Sequence, residues 1–412
     1  MVLFNGVVTA TGIAFLMLSV LLISALGYAL GRIEIGGVSL GTAGVFIVAI
    51  LFGGLFYPTL TNTLVQSDVS YVKNALKIVE NIGLIFFVTS VGFIAGPKFF
   101  SNLKVNFKSY VLLGIVIILA GGLTAIACIF IGRASGETDF KRLTAMVVGL
   151  LSGSLTSTPA FSAAKATVAP EYEDIVAVGH GIAYIFGVIG VVLFVQLMPK
   201  ITKADMDEEV KKLQSVETGT AKKYNGQLIL TDSFSFLPFM LAAAIGIVIG
   251  GIKIPLSAKG MSGTTFSLTS TGGCLLAALI FGHFGRIGRI CLMPSEGTLK
   301  VFRELGLMLF LVGAGVAGGA SFVVNFQFIY FIYGVIMTIV PMFAGYFIAK
   351  KCLKLSLLNN LGSITGGMTS TPALGTLIKV AHTEDVAAAY AATYPFALIS
   401  VVLVSQFLII LF

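Results

Sequence analysis

Charge is what this sequence has least of. Only 11% of its 412 residues are Asp, Glu, Lys or Arg, and 57% are apolar. A soluble domain carries roughly a quarter charged residues. So few charges cannot coat a soluble protein of this length, which excludes a soluble enzyme, a disordered chain and a nucleic-acid binder. Tryptophan is absent, so any interfacial aromatic belt must draw on the 12 Tyr. Cys128, Cys274, Cys291 and Cys352 are scattered with no CxxC pair. That excludes a disulfide frame or a zinc site and leaves them as small packing residues. No Lys or Arg precedes the first apolar run. A cleaved leader wants a positive start, so this run reads as a retained span.

Long apolar runs are what the sequence has in abundance. Twelve fall at about 12–30, 38–56, 82–97, 109–132, 143–168, 175–198, 234–252, 266–283, 302–320, 327–349, 356–379 and 386–412. A bilayer crossing takes ~20 apolar residues, and within hydrocarbon only a helix satisfies its own backbone. The chain is therefore predicted to be an all-α polytopic membrane protein whose solvent is the lipid bilayer. Its net charge of +8 is what basic cytoplasmic loops give. The longest separator, 199–233, is charged and too short for a domain, so it reads as a solvated linker or short surface helix.

That linker divides two similar halves, 1–198 and 234–412. GLLSGSLTSTPA at 149–160 matches GSITGGMTSTPA at 362–373. Lys77, Gly83, Phe87, Gly92 and Gly96 match Lys300, Gly306, Phe310, Gly315 and Gly319, and Gly114 matches Gly334. Glu173-Asp174 matches Glu384-Asp385, and Tyr184 and Gln196 match Tyr394 and Gln406. Polar residues recurring in one order through apolar sequence point to an internal duplication. If the TSTP elements cross the membrane, the repeats are parallel; if they turn back, the repeats are inverted. Lys and Arg distribution does not separate the two, although both place the linker inside. The short uncharged N-terminal tail and the repeated broken element favour inversion. The expectation is two inverted repeats, each of five transmembrane helices plus one re-entrant helical hairpin.

The broken elements carry the chemistry. Gly153 loosens the chain, Pro159 cannot donate to the preceding turn, and proline suits the start of a new helix. The second arm then begins with free N–H groups and a positive dipole end, which attracts carboxylates. Ser154, Thr156, Ser157 and Thr158 add hydroxyls that donate and accept. The second copy offers Thr369, Ser370, Thr371 and Pro372, with Gly367 in place of Ser154. Inversion would bring both breaks together near the midplane. Taken singly, such residues often only tune helix packing; their recurrence at equivalent positions marks a binding site.

Other residues have plainer readings. Glu173-Asp174 and Glu384-Asp385 suit helix N-termini. Tyr184 and Tyr394 line the pocket or pack the core. The glycines from Gly306 to Gly319 permit close helix contact or a second unwound stretch. Lys165 and Lys379 attract an anion at the pocket mouth or snorkel. Among the 18 carboxylates only Glu80 and Glu304 could reach any depth. His180, His283 and His382 read as interfacial, so no proton relay is visible.

GSLTSTPA at 153–160 and GGMTSTPA at 366–373, with the spans that follow each, resemble the aspartate–alanine exchanger family of bacterial permeases over nearly the whole chain. The resemblance implies a secondary transporter of the inner membrane, exchanging an amino acid such as aspartate for alanine, or dicarboxylates. It also implies outer termini and an inner central loop. In plan the paired elements are similar to those of sodium–glutamate and sodium–citrate symporters. That likeness points to Ser154, Thr156, Ser157, Thr158, Thr369, Ser370 and Thr371, admits a sodium ion as the one cofactor, and implies a homodimer. Many family members carry paired regulatory domains in the central loop, where this chain has only a short linker. Rival readings are a sodium-coupled symporter of glutamate-like acids, a channel without a selectivity-filter run, and an intramembrane hydrolase. The hydrolase would use Ser157 or Ser370 as nucleophile and Lys165 or Lys379 as base, but no GxSxG or HExxH motif supports it.

Overall fold

The computed structural model describes the chain outside residues 1, 4–7, 10, 36–37, 40–42, 67–68, 214–227, 256–264 and 384; at several further positions, Thr371 among them, it describes the backbone alone. Fifteen α-helices lie among the described residues. In the first half these are α1 Gly12–Gly31, α2 Ala43–Thr63, α3 Val72–Asn106, α4 Leu112–Ala134, α5 Phe140–Ser154, α6 Thr158–Thr167 and α7 Glu173–Ile201. The short α8 Met206–Lys211 follows. The second half holds α9 Phe236–Gly250, α10 Thr269–Phe284, α11 Glu296–Asn325, α12 Phe328–Lys351, α13 Leu357–Gly367, α14 Thr371–Ala381 and α15 Ala387–Leu411. Strands are two-residue antiparallel pairs between helices, such as Ile287 against Ile290.

Eight of these helices (α1–α4, α7, α11, α12 and α15) are long and apolar enough to cross a membrane. The α9 and α10 helices have 15 and 16 residues; at ~1.5 Å per residue they reach only ~22–24 Å. Leu21, Leu22 and Leu26 on α1 and Phe328 at the start of α12 are exposed, as befits an outer surface solvated by lipid. Polar side chains set the helix starts. Asp139 accepts from Arg142 N at the start of α5, and Ser356 accepts from Asn359 N at the start of α13. Asp232 accepts from the backbone N–H groups of Phe234, Phe236 and Leu237 ahead of α9.

Several boundaries differ from the apolar pattern. The α3 and α11 helices begin well before the runs at 82–97 and 302–320, because Lys77, Glu80, Lys300 and Arg303 interrupt apolarity without interrupting the helix. The single run at 143–168 is two helices. Cys128 and Cys274 are buried as packing residues, but Cys352 is exposed. Of the linker 199–233, α7 takes the first residues and α8 follows. Glu209 of α8 accepts from Leu357 N at 3.1 Å, which ties it to the start of α13. Residues 214–227 lie outside the description.

Glycine contacts fix how the helices run. Gly83 of α3 packs on Phe310, and Gly306 of α11 packs on Phe87, the matched positions of the two halves in reciprocal contact. Gly313 of α11 meets Glu80 and Leu76 of α3, so sequence order is reversed and these equivalent helices are antiparallel. Gly149 and Gly153 of α5 meet Val176, His180 and Tyr184 of α7 in the same order, so α5 and α7 are parallel. Gly362 and Gly366 of α13 meet Val386 and then Tyr390 of α15, again in parallel. A Cβ on any of Gly83, Gly149, Gly153 or Gly306 would strike opposing backbone; small residues let helix backbones approach this closely. The α11 helix is continuous, so its glycines serve contact and not a second break.

Candidate functional site: the two TSTP breaks

Both helical breaks adopt one backbone conformation. The α5 helix stops at Ser154 and α6 starts at Thr158; α13 stops at Gly367 and α14 starts at Thr371. In the first break Thr156 N donates to Gly153 O at 2.9 Å and Ser157 N to Ser152 O at 2.8 Å. In the second, Thr369 N donates to Gly366 O at 3.1 Å and Ser370 N to Thr365 O at 2.9 Å. These paired bonds are a Schellman closure, which requires a left-handed residue just past the helix end and normally takes glycine there. Here the residue is β-branched in both copies: Thr156 and Thr369 each have φ 50°. Holding such a residue there costs about 1–3 kcal/mol.

Each threonine reaches across to the other break. Thr156 Oγ1 donates to Met368 O at 3.1 Å, and Thr369 Oγ1 donates to Leu155 O at 2.7 Å. Leu155 and Met368 are the C-caps of α5 and α13. Each hydroxyl therefore satisfies a carbonyl that its own helix leaves without a partner. Ser157 Oγ accepts from Ala160 N at 3.3 Å as the N-cap of α6, and both second arms carry proline in the first turn.

Beside this junction lies a cavity of about 580 Å³. Its wall includes Thr156, Ser157, Thr158, Pro159, Thr369 and Pro372 from the two breaks, with Tyr184 from α7 and Tyr394 from α15. The positive ends of α6 and α14 start at that wall. The remaining expected site residues lie elsewhere. Ser154 is buried and its hydroxyl donates to Gly334 O at 3.0 Å, joining α5 to α12. Ser370 is buried, with no partner for its hydroxyl among the described residues. Gly153 packs on α7 and Gly367 on the Ile117 side chain. The Thr371 side chain lies outside the description.

Sequence reasoning missed Arg303 and Tyr390, which also line the cavity, as does Glu304, one of the two carboxylates expected to reach depth. Two other expectations need correction. Lys165 is neither at the pocket mouth nor snorkelling: its Nζ lies 2.8 Å from Glu80 Oε1 and 2.9 Å from Oε2, with both residues buried. His180 is not interfacial. It is fully buried two turns into α7, with Nδ1 2.8 Å from Ser152 Oγ and its ring stacked on Phe161 and Tyr184. Its counterpart is Tyr390, which stacks on Tyr394. Glu173 and Asp174 occupy the first turn of α7, as expected, and Glu173 also pairs with Lys77 at 2.7 Å. Glu384 lies outside the described residues, and Asp385 precedes α15. Among the described residues no cluster of His, Cys, Asp and Glu could hold a metal ion.

Comparison with known proteins gives a consistent result. Residues 19–200 and 238–410 match the aspartate–alanine exchanger model described as "Predicted Permease Membrane Region". An uncharacterized transporter of Bacteroides fragilis is 26% identical over 94% of this chain and 97% of its own length. One from Bacteroides thetaiotaomicron is 25% identical over the same shares, and one from Geobacter sulfurreducens is 24% identical over 95% and 98%. These alignments span 547 to 560 positions, more than the 412 residues of this chain, so the relatives carry segments that it lacks.

Proposed function

The chain belongs to the aspartate–alanine exchanger family of permeases, and on that premise we propose that it exchanges small carboxylates across the bacterial inner membrane. The substrates are amino acids such as aspartate and alanine, or dicarboxylates, bound in the cavity between the two breaks. The observation that carries this reading is the reciprocal pair of hydrogen bonds, Thr156 to Met368 O and Thr369 to Leu155 O. It sets two helix N-termini and a row of hydroxyls on one cavity. A carboxylate there would meet two helix dipole ends and the hydroxyls of Ser157 and Thr158 inside an apolar body.

The course of the helices supports a re-entrant, inverted arrangement. A broken helix that crossed the membrane once would leave α5 and α7 antiparallel. They run parallel, as do α13 and α15, which fits α6 and α14 turning back toward the side they came from. The matched helices α3 and α11 run antiparallel, which fits halves of opposite orientation. In this reading 1–198 and 234–412 are the two repeats, joined by a cytoplasmic linker at 199–233. The hairpin-bearing elements move as one body against the remaining spans, and the threonine bridges hold that body together.

The test is counterflow in proteoliposomes loaded with aspartate, alanine, succinate or glutamate, comparing wild type with Thr158→Val and Thr371→Val. The reading requires weaker substrate affinity in both variants; unchanged uptake and affinity in both remove the breaks as the binding site. Uptake that needs a sodium gradient and does not exchange selects the sodium-coupled symporter instead.

A further inference from the structure

The charge on the cavity wall is unevenly divided between the two halves. Arg303 and Glu304 are the only charged residues among the described residues that line the cavity. Arg303 stands at the duplicated position of Glu80: each lies three residues after a matched lysine, Lys77 or Lys300, and three before a matched glycine, Gly83 or Gly306. The first half buries its charge at this position, tied to Lys165. The second half reverses the sign and turns the charge toward the cavity. Nη2 of Arg303 donates to Glu304 Oε1 at 2.9 Å. A guanidinium offers five N–H donors in a planar fork suited to a carboxylate, and this pairing uses one of them.

We propose that Arg303 reads the second carboxylate of the substrate, with Glu304 as its partner whenever that carboxylate is absent. The inference rests on the carboxylate-exchange reading above and adds to it the residue that tells a substrate with two carboxylates from one with a single carboxylate. The helix N-termini at the breaks take the carboxylate common to both. A one-carboxylate substrate leaves the Arg303–Glu304 pair closed. A two-carboxylate substrate replaces Glu304 on the guanidinium. One cavity thereby accepts two molecules of different charge without an unpaired cation in either state.

Aspartate and alanine differ by this one carboxylate and serve as probes, each measured as self-exchange in proteoliposomes. Arg303→Gln is expected to raise the half-saturating aspartate concentration by about tenfold or more, with alanine changing much less. Arg303→Lys, which keeps charge but loses the fork, should fall between. Glu304→Gln, which removes the competing carboxylate, should lower the half-saturating aspartate concentration. Equal shifts for both substrates in Arg303→Gln and Arg303→Lys overturn the inference in favour of a structural role, and no shift in either variant also overturns it. Should Arg303→Gln fail to fold, the Arg303→Lys and Glu304→Gln pair decides by the same criterion. Wild-type uptake of alanine but of no two-carboxylate anion overturns this inference alone. Wild-type uptake of no carboxylate overturns the underlying reading together with it.

Discussion

Replacing Thr156 or Thr369 separates two effects that usually act together. Each residue occupies the left-handed region at φ 50° and each hydroxyl satisfies a carbonyl of the opposite break. Valine keeps the branched Cβ, and so keeps the backbone strain, but removes the donor. The carbonyl of a buried residue, Met368 or Leu155, then lacks its bond, at a cost of about 1–3 kcal/mol. Glycine removes the same donor but also relieves strain worth about 1–3 kcal/mol, less about 0.4–1 kcal/mol for its freer unfolded chain. The valine variants should therefore melt lowest, and the glycine variants should sit near wild type, although glycine is the weaker residue in ordinary helical sequence. With no Trp in the chain, melting in detergent can be followed with a thiol-reactive dye once the half-buried Cys291 and exposed Cys352 are replaced by Ser, because Cys128 and Cys274 are buried until the protein opens. Valine variants as stable as the glycine variants, at both positions, would refute the combination of strain and cross-bridge described here.

Two further expectations follow from the charged groups. Lys165→Met leaves Glu80 buried without its partner and should destabilise by about 3–5 kcal/mol; adding Glu80→Gln should restore most of the melting temperature, and an unchanged single-variant melt would contradict the pair. At Asp232 the N–H groups of Leu237, then Phe236 and Phe234, hold the carboxyl below its usual pKa. A lowered folded-state pKa means that the stabilisation is complete above the unfolded value of ~3.9 and is lost as pH falls through the lower folded value. Asp232→Ala should therefore speed amide exchange at the start of α9 at neutral pH, with the difference from wild type fading in acid.

The breaks were legible in the sequence because TSTPA is a polar word in apolar text, written twice. Its prolines and serines mark a helix start by local chemistry alone. What was illegible is tertiary. Nothing in the order of residues says that Thr156 donates to Met368, 212 positions away, or that threonine would stand where a left-handed turn asks for glycine. Arg303 was hidden by its neighbourhood: beside Lys300 and Glu304 it reads as a loop charge, yet α11 starts at Glu296 and carries it to the cavity. His180 was misplaced for a related reason, since it lies near the start of an apolar run but two turns inside α7. Ser154 had the right chemistry and the wrong side of the helix.

The central claim is that the two breaks form one chamber that holds the substrate. Thr158→Cys, in a background with Cys128, Cys274, Cys291 and Cys352 replaced by Ala or Ser, places a single thiol on the cavity wall. Its alkylation rate by a small anionic reagent, measured with and without saturating aspartate or alanine, tests the claim most directly. The account predicts that substrate slows the reaction strongly and that the thiol of an equivalent Ser154→Cys protein, on the buried side of α5, reacts slowly throughout. A Thr158→Cys rate that saturating substrate leaves unchanged, in protein that still transports, would contradict it.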